Sequence, residues 1–237
     1  MERFETIRER VGALTGCTQA TKIERGYSFD QKYRLHGGDG DYLLRITPLA
    51  PGADRAGKEE EFHLIEEIGR YSSCVPRAHQ FGVSGDGRCC YMLLDYIDGM
   101  DGEEAIPAMG PDDQYRLGLD AGRELSHLHR MAAPAGIGPW RERFSAKYAR
   151  KCAAFEAMEL PCGCIDMDRL AAFIADNARF MDCPAQSFLH DDYHPSNLIV
   201  ADGRLSGIID FNRHDWGDPI HDFVKLAYFS RAVSIPF

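Results

Sequence analysis

The sequence predicts an α+β fold of two lobes, an antiparallel-sheet N-terminal lobe followed by a mainly helical C-terminal lobe. Three observations predict it. Up to Tyr96, short apolar runs alternate with glycine-bearing turns, and only two stretches carry helical periodicity. Between Asp98 and Pro111 the chain is punctuated by Pro107, Gly110 and Pro111. Beyond that point helical spacing prevails, apart from one late pair of apolar runs. The division therefore falls between residues 1–96 and residues 97–237, with a cleft near Asp95–Gly99.

Each element follows from its own spacing. Phe4, Ile7, Val11 and Leu14 recur at three and four residues, which predicts a helix over 2–14. Thr18–Arg25 and Gln31–Leu35 read as short strands around a turn containing Gly26, and the cluster at 37–41 turns the chain into a strand at Tyr42–Ile46. Phe62, Ile65 and Ile68 return to helical spacing over 55–70. Two further strands, Ala78–Val83 and Cys89–Tyr96, are joined by the turn 84–87. In the second half, Asp112 is placed to cap a helix reaching Arg130, with Tyr115, Leu119 and Gly122 as packing positions. Helices follow at about 140–158 and 166–180, then a hairpin of Leu198–Val200 and Leu205–Ile209 around 201–204, then a last helix at about 220–230.

Composition narrows the function. With 44% hydrophobic and 27% charged residues among 237, the chain is ordinary for a globular protein, and no apolar run reaches the length of a membrane span. The charged N-terminus lacks the apolar core of a secretory signal, so a cytoplasmic location is expected. Its eight cysteines are scattered, and Cys162 and Cys164 do not have zinc-site spacing, so reduced thiols are expected. A net charge of −10 argues against a nucleic-acid partner, which would want a basic face. From Asp95 to Asp113 there are seven carboxylates and no Lys or Arg. That stretch is either a solvated loop and helix start or an acidic rim for a cationic small molecule.

The densest polar cluster is His190-Asp-Asp-Tyr-His-Pro-Ser-Asn197, followed after the hairpin by Ile208-Ile-Asp-Phe-Asn-Arg213. The short hairpin brings Asn197 and Asp210 to one end of two paired strands, where their oxygens can share a hard cation such as magnesium. Asp192 lies on the loop entering the first strand and can accept a hydrogen bond from an incoming hydroxyl. Taken singly, Asp210 could cap a turn and Asn197 could satisfy loop backbone. Taken together, they supply what phosphoryl transfer requires, a group to orient the nucleophile and a metal site to neutralise phosphate charge.

These segments resemble the catalytic loop and metal-binding segment of the aminoglycoside phosphotransferase family, relatives of the protein kinases. The pattern His-x-Asp-x-x-x-x-Asn is matched by His190, Asp192 and Asn197, the following Ile-Asp by Ile209 and Asp210, and Gly-Asp-Pro by Gly217–Pro219. The resemblance extends to Ile23–Ser28 as a nucleotide loop, Arg45 as the phosphate-contacting cation where relatives use Lys, Glu61 as its helical partner, and Tyr91–Ile97 as an adenine-holding hinge. It implies a protein-kinase-like bilobal fold, ATP or GTP with Mg2+, and a small-molecule hydroxyl acceptor such as an aminoglycoside or a metabolite. Asp192 is then the catalytic residue, Asn197 and Asp210 the metal ligands, and Ser28, Arg45, Glu61, Asp95 and Ile97 the nucleotide contacts. His190, Asp218 and Asp222 are assigned to holding loops by backbone hydrogen bonds. Family members continue for several helices beyond Gly-Asp-Pro, so a C-terminal lobe short of those helices, with exposed apolar surface, is expected; oligomeric state is left open. Two other classes stay open: a kinase fold that binds nucleotide without transfer, and a non-haem iron oxygenase using His190, Asp192 and His214 or His221.

Overall fold

The computed structural model describes residues 2–17, 19–24, 30–49, 55–158 and 166–237. Its first half is helix α1 (Glu2–Thr15), strands β1 (Gln19–Ile23), β2 (Gln31–His36) and β3 (Asp41–Pro48), helix α2 (Arg55–Ile68), and strands β4 (Ala78–Val83) and β5 (Cys89–Asp95). The five strands form one antiparallel sheet in the order β1-β2-β3-β5-β4. After it come β6 (Met100–Asp101), α3 (Gly102–Ala105), α4 (Pro111–Leu128), α5 (Trp140–Glu156), α6 (Met167–Asp176), β7 (Ser187–Leu189), β8 (Leu198–Ala201), β9 (Arg204–Ile208), β10 (Asp215–Gly217) and α7 (Asp222–Val233). This is the α+β, protein-kinase-like arrangement expected: a sheet lobe, then a helical lobe with a hairpin set into it.

The sheet sorts its residues by strand alternation. Tyr33 and Leu35 on β2, Leu44 and Ile46 on β3, and Tyr91 and Leu93 on β5 are buried with Ile7 and Val11 of α1. Residues of the opposite phase, such as Met92 and Leu94, belong to a second core that also takes in Phe62, Ile65 and Ile68 of α2. That core continues without a break into Leu125 and Leu128 of α4 and into Phe188, Tyr193, Leu198, Ile208 and Phe211 of the helical half. The two halves are therefore joined by shared apolar packing, as well as by the chain itself. On the helical side β8 and β9 pair as the expected hairpin, Leu198 opposite Ile208.

Three details differ from the sequence reading. Helix α4 starts at Pro111 with Gly110 as its N-cap, and Asp112 lies inside the first turn. Proline tolerates that first position because its missing N–H would have no partner there, and carboxylates in the first turn complement the positive end of the helix. The packing stripe of α4 is Leu117, Ala121, Leu125 and Leu128, whereas Tyr115 is 58% and Leu119 41% exposed, and Gly122 is exposed too. The helix carries two stripes at helical spacing, and burial selects the more aliphatic one. Strands β6, β7 and β10 were not anticipated; β6 adds to the edge of β8, and β7 pairs with β10. Among the described residues no disulfide links the cysteines, and no helix is long and apolar enough to cross a membrane. Helix α7 leaves Val224 62% and Tyr228 76% exposed, in keeping with the expected apolar surface on this lobe.

Between the halves, the chain passes Gly99 at φ +142°, where a Cβ would lie 2.5 Å from the Val200 carbonyl oxygen. Only glycine allows β6 to meet β8 at this spot. Gly99→Ala should lose about 2 kcal/mol or more in urea unfolding. Gly38→Ala, in an open turn with nothing within 4 Å, should stay within about 0.5 kcal/mol of wild type. Equal midpoints for the two variants would contradict the assignment of strain to Gly99.

Candidate active site

The site begins at the open end of the β8–β9 hairpin, away from the turn between Ala201 and Arg204. A 3-10 turn at Pro195–Asn197 leads into β8, and the Ile209 N–H donates to the Asn197 carbonyl at 3.0 Å. This bond sets Asn197 and Asp210 side by side at one end of the pair, as the short hairpin predicts. Asp210 is left-handed, with φ 70° and ψ 65°, a conformation that Asp tolerates better than most residues. Its carboxylate makes no hydrogen bond or ion pair among the described residues. Asn197 Nδ2 donates to the Asp192 carbonyl at 2.9 Å, which leaves Oδ1 as the free end of the amide. One carboxylate and one amide oxygen, neither otherwise engaged, form a donor set that suits a hard divalent cation such as magnesium.

The loop before the hairpin is held from below. Asp222, at the first position of α7 and 2% exposed, accepts from the backbone N–H of His190 at 3.0 Å and of Asp191 at 2.8 Å, and it pairs with His129 Nε2 at 2.9 Å. His190 is fully buried, and its Nε2 is bonded to the Ile209 carbonyl at 3.0 Å. Burial lowers its pKa, more than the nearby Asp222 carboxylate raises it. His190 is thus a neutral strut between loop and hairpin. Tyr193, also buried, donates its hydroxyl to Ala121 in α4 at 2.8 Å. The Asp218 carboxylate accepts from the Ile220 N–H, and its carbonyl from the His221 N–H, both in its own turn.

Asp191, left-handed at φ 52°, turns its carboxylate to Lys147 and His221. Burial pushes that carboxyl up, but the hydrogen bonds to His221 and Lys147 and the Lys147 charge outweigh it and hold it well below the usual range. Asp192 turns towards the cleft. Its Oδ1 accepts from Lys225 Nζ of α7 at 2.8 Å, while Oδ2 has only long contacts, with Asn197 Nδ2 at 3.4 Å and Arg213 Nε at 3.8 Å. Burial again raises the carboxyl pKa, and Lys225 with His194 and Arg213 brings it below the ordinary value.

Above the loop stands the face of the sheet that carries Arg45. Its Nη1 donates to Glu61 of α2 at 2.6 Å, and its Nε and Nη2 both donate to Asp30, at 3.2 and 2.8 Å. Lys58 completes the group, 3.0 Å from Glu61 and 3.6 Å from Asp30. Burial opposes the charges of Asp30, Glu61 and Arg45, yet mutual pairing lowers the carboxyl pKa of Asp30 and Glu61 and raises that of Arg45. Lys32 sits directly across from Arg45 in the β2–β3 register. Among the described residues it has no ion pair or hydrogen bond. Burial and then Arg45 lower its pKa, and the carboxylate that pulls hardest the other way is Asp210 from the lobe below.

The structure thus brings Asp192, Asn197 and Asp210 together and pairs Arg45 with Glu61. Asp95 and Ile97 end and follow β5: the Asp95 N–H is donated to Arg77 and its side chain pairs with His79, while Ile97 packs over Gly207 of β9. Ser28 lies outside the described residues. Among them no three His, Cys, Asp or Glu side chains converge as a metal cluster. His190 is committed to a carbonyl and His221 to Asp191, so the triad an iron oxygenase needs is not assembled. Asp30, Lys32, Lys58 and Lys225 were not foreseen. Lys32 had a usable signal, its alternation with core residues Tyr33 and Leu35; Lys225 had none, because only tertiary packing carries α7 to the loop.

Comparison with known proteins bears on the family and the fold. Among curated protein sequences none matches the chain. Solved structures do match. A thermostable mutant of aminoglycoside phosphotransferase APH(4)-Ia, in ternary complex with AMP-PNP and hygromycin B, superposes with TM-score 0.70 at 14% identity, over 97% of this chain and 77% of that one. The gentamicin complex of APH(2")-IIa gives 0.64 at 17% identity, over 92% and 73%. Likeness at this level of identity speaks for the fold. The family profile described as "Phosphotransferase enzyme family" covers residues 19–237, nearly the whole described chain and every element of the site, and on that match the chain belongs to the phosphotransferase enzyme family.

Proposed function

We propose that this phosphotransferase is a kinase that uses ATP, or alternatively GTP, with magnesium, and transfers the γ-phosphoryl group to a hydroxyl of an aminoglycoside-like antibiotic or a small metabolite. One observation carries the reading: Asp192, Asn197 and Asp210 share one end of the β8–β9 hairpin, with the side-chain oxygens of the last two unengaged among the described residues. Asn197 and Asp210 would hold the magnesium, which when bound neutralises charge on the phosphates. In this reading residues 1–96 bind the nucleotide and residues 97–237 carry the catalytic loop.

The remaining roles follow from the chain's own groups. Asp192 Oδ2 is available to accept the acceptor hydroxyl, while Lys225 fixes the carboxylate through Oδ1. The hinge supports adenine binding because the Ile97 N–H has no backbone partner among the described residues, while the neighbouring Tyr96 N–H is committed to Asp41. Triphosphate would lie against the sheet face bearing Lys32 and Arg45, under the loop that contains Ser28. For the acceptor, the acidic stretch is relevant: Glu103 of α3 accepts from Ser196 of the catalytic loop at 2.5 Å, so carboxylates border the site. That favours an amine-bearing acceptor. A second reading, nucleotide binding without transfer, draws on Arg45, whose fork is occupied by two carboxylates.

A coupled ADP-release assay with Mg2+ against aminoglycosides, macrolides and amino alcohols tests the proposal. At least one acceptor should stimulate release. Asp192→Ala should then lower the rate by about 10²–10⁴-fold, and a rate equal to wild type would remove Asp192 from the chemistry. Asp210→Asn should cost about 10² or more and weaken the dependence on magnesium; an unchanged magnesium requirement would place the metal elsewhere. Because the Asp192 carboxyl is held below its ordinary pKa, it stays ionised through neutral pH. Acid loss of rate should therefore set in below the usual carboxylate range. Nucleotide binding without acceptor-stimulated release across the panel would favour the second reading.

A further inference from the structure

Helix α7 does more at the loop than anchor it. Asp222, Lys225 and Phe229 recur at three and four residues and so share one face of the helix. Asp222 holds the loop backbone, and Lys225 holds Oδ1 of Asp192 at 2.8 Å. One turn further on, the ring of Phe229 lies against the imidazole of His194, with centroids 4.8 Å apart and planes at 39°. His194 in turn has its Nε2 3.6 Å from Asp192 Oδ1. Only one side chain therefore separates Phe229 from the carboxylate assigned to the acceptor hydroxyl. Tyr228 extends this surface. Its ring meets that of Phe229 edge to face, with centroids 5.1 Å apart and planes at 88°. Tyr228 is 76% exposed and Phe229 43%. Apolar residues scattered singly over a surface need no explanation, whereas two rings in contact beside a candidate site do.

On the other flank of the same loop stands a carboxylate. Glu103 of α3 is exposed and accepts from the Ser196 hydroxyl at 2.5 Å, and its other oxygen has no partner among the described residues. Ser196 is two residues from His194, a stretch of chain that spans at most about 7 Å. The charge near Glu103 has one sign, since residues 95–113 hold seven carboxylates and no Lys or Arg. A ligand reaching Asp192 between these flanks meets negative charge on one side and aromatic faces on the other. A cation at one end and an apolar body at the other complement both. A molecule that is polar on every face complements only the first.

We propose that Phe229 and Tyr228 on one flank of the loop and Glu103 on the other select the acceptor, and that they select an amine-bearing alcohol with an apolar body over an aminoglycoside. The inference rests on the kinase reading above and names the acceptor class of that same site. The hydroxyl sits at Oδ2 of Asp192, the ammonium at Glu103, and the apolar body against the two rings. Asp192 keeps its orienting part, and the three flanking side chains act on specificity.

ADP release by the intact chain with ATP, Mg2+ and matched alcohols tests it. Phenylalaninol carries both amine and ring, alaninol lacks the ring, 3-phenylpropanol lacks the amine, and kanamycin is the polar polycation. For phenylalaninol kcat/KM should exceed that for each of the others by about tenfold. Phe229→Leu and Tyr228→Ser should each raise the phenylalaninol KM about threefold to tenfold with kcat nearly kept, and leave alaninol unaffected. Phe229→Tyr, which restores the ring, should stay near wild type. Glu103→Gln should lower kcat/KM about threefold for phenylalaninol and not for 3-phenylpropanol. Kanamycin or alaninol used as well as phenylalaninol, or an unchanged phenylalaninol KM in both ring variants, would overturn the inference and leave the kinase reading standing. So would a dimer on sizing that Tyr228→Ser dissociates without changing that KM, which would give the rings to a second copy. No release with any of the four alcohols would also overturn it, and absence of ADP binding by calorimetry as well would overturn the kinase reading with it.

Discussion

One buried carboxylate organises the helical half. Asp222 receives two backbone N–H groups from the loop and the imidazole of His129 at the end of α4. Each of those donors, left buried without a partner, would cost about 1–3 kcal/mol, so loop, α4 and α7 hold one relative placement. The constraint propagates upward. With its backbone fixed, His190 reaches the Ile209 carbonyl, and the next residue along that strand is Asp210. On the other side of the same anchor, the left-handed turn at Asp191 sends its carboxylate down to Lys147 and leaves the following one, Asp192, to face the cleft. Two adjacent aspartates thus acquire different duties from backbone geometry alone.

The sheet lobe meets a different constraint. Burying four charges costs several kcal/mol of desolvation per ion, which is recovered only with good geometry and hydrogen bonds to every charged atom. A guanidinium suits the position because its fork can address Asp30 and Glu61 at once, whereas an ammonium concentrates its charge at one atom. Such a group adds little net stability, but it specifies where α2 sits, because Glu61 must meet Arg45 while Phe62 and Ile65 enter the shared core. The placement of α2 in turn keeps the sheet over the hairpin.

Much of this was legible in the sequence, for local reasons. The hairpins could be read because glycine turns and two-residue alternation act within a few positions. The Asn197–Asp210 juxtaposition followed from the brevity of the intervening hairpin. What escaped reading depends on distant partners. β6, β7 and β10 are two or three residues long, too short for any periodicity, and exist only because other strands offer them an edge. In α4, Tyr115 and Leu119 have the same spacing as the buried stripe, and nothing local tells which stripe faces Leu198 and Tyr193. Asp30 and Lys225 look like solvent-facing charges until folding brings Arg45 to one and Asp192 to the other. Glu61 could be paired with Arg45 by resemblance, but the full occupancy of the guanidinium could not.

If Asp192 plays the part proposed for it, its state bears on how transfer would work. A carboxylate held below its ordinary pKa by Lys225 is a weak base, poorly suited to removing a proton from an alcohol early in a reaction. Phosphoryl transfer through a loose transition state does not ask for that: bond formation to the acceptor lags, so the hydroxyl proton becomes acidic late. What the group must do earlier is hold the hydroxyl in line, and an ionised, immobilised acceptor oxygen does so well. Lys225 therefore trades basicity for orientation. The same ammonium, hydrogen-bonded to the Asp191 carbonyl as well, keeps Asp192 from rotating back towards Arg213. In the proposed reaction, positioning and fixed charge, rather than proton affinity, are what these residues would supply.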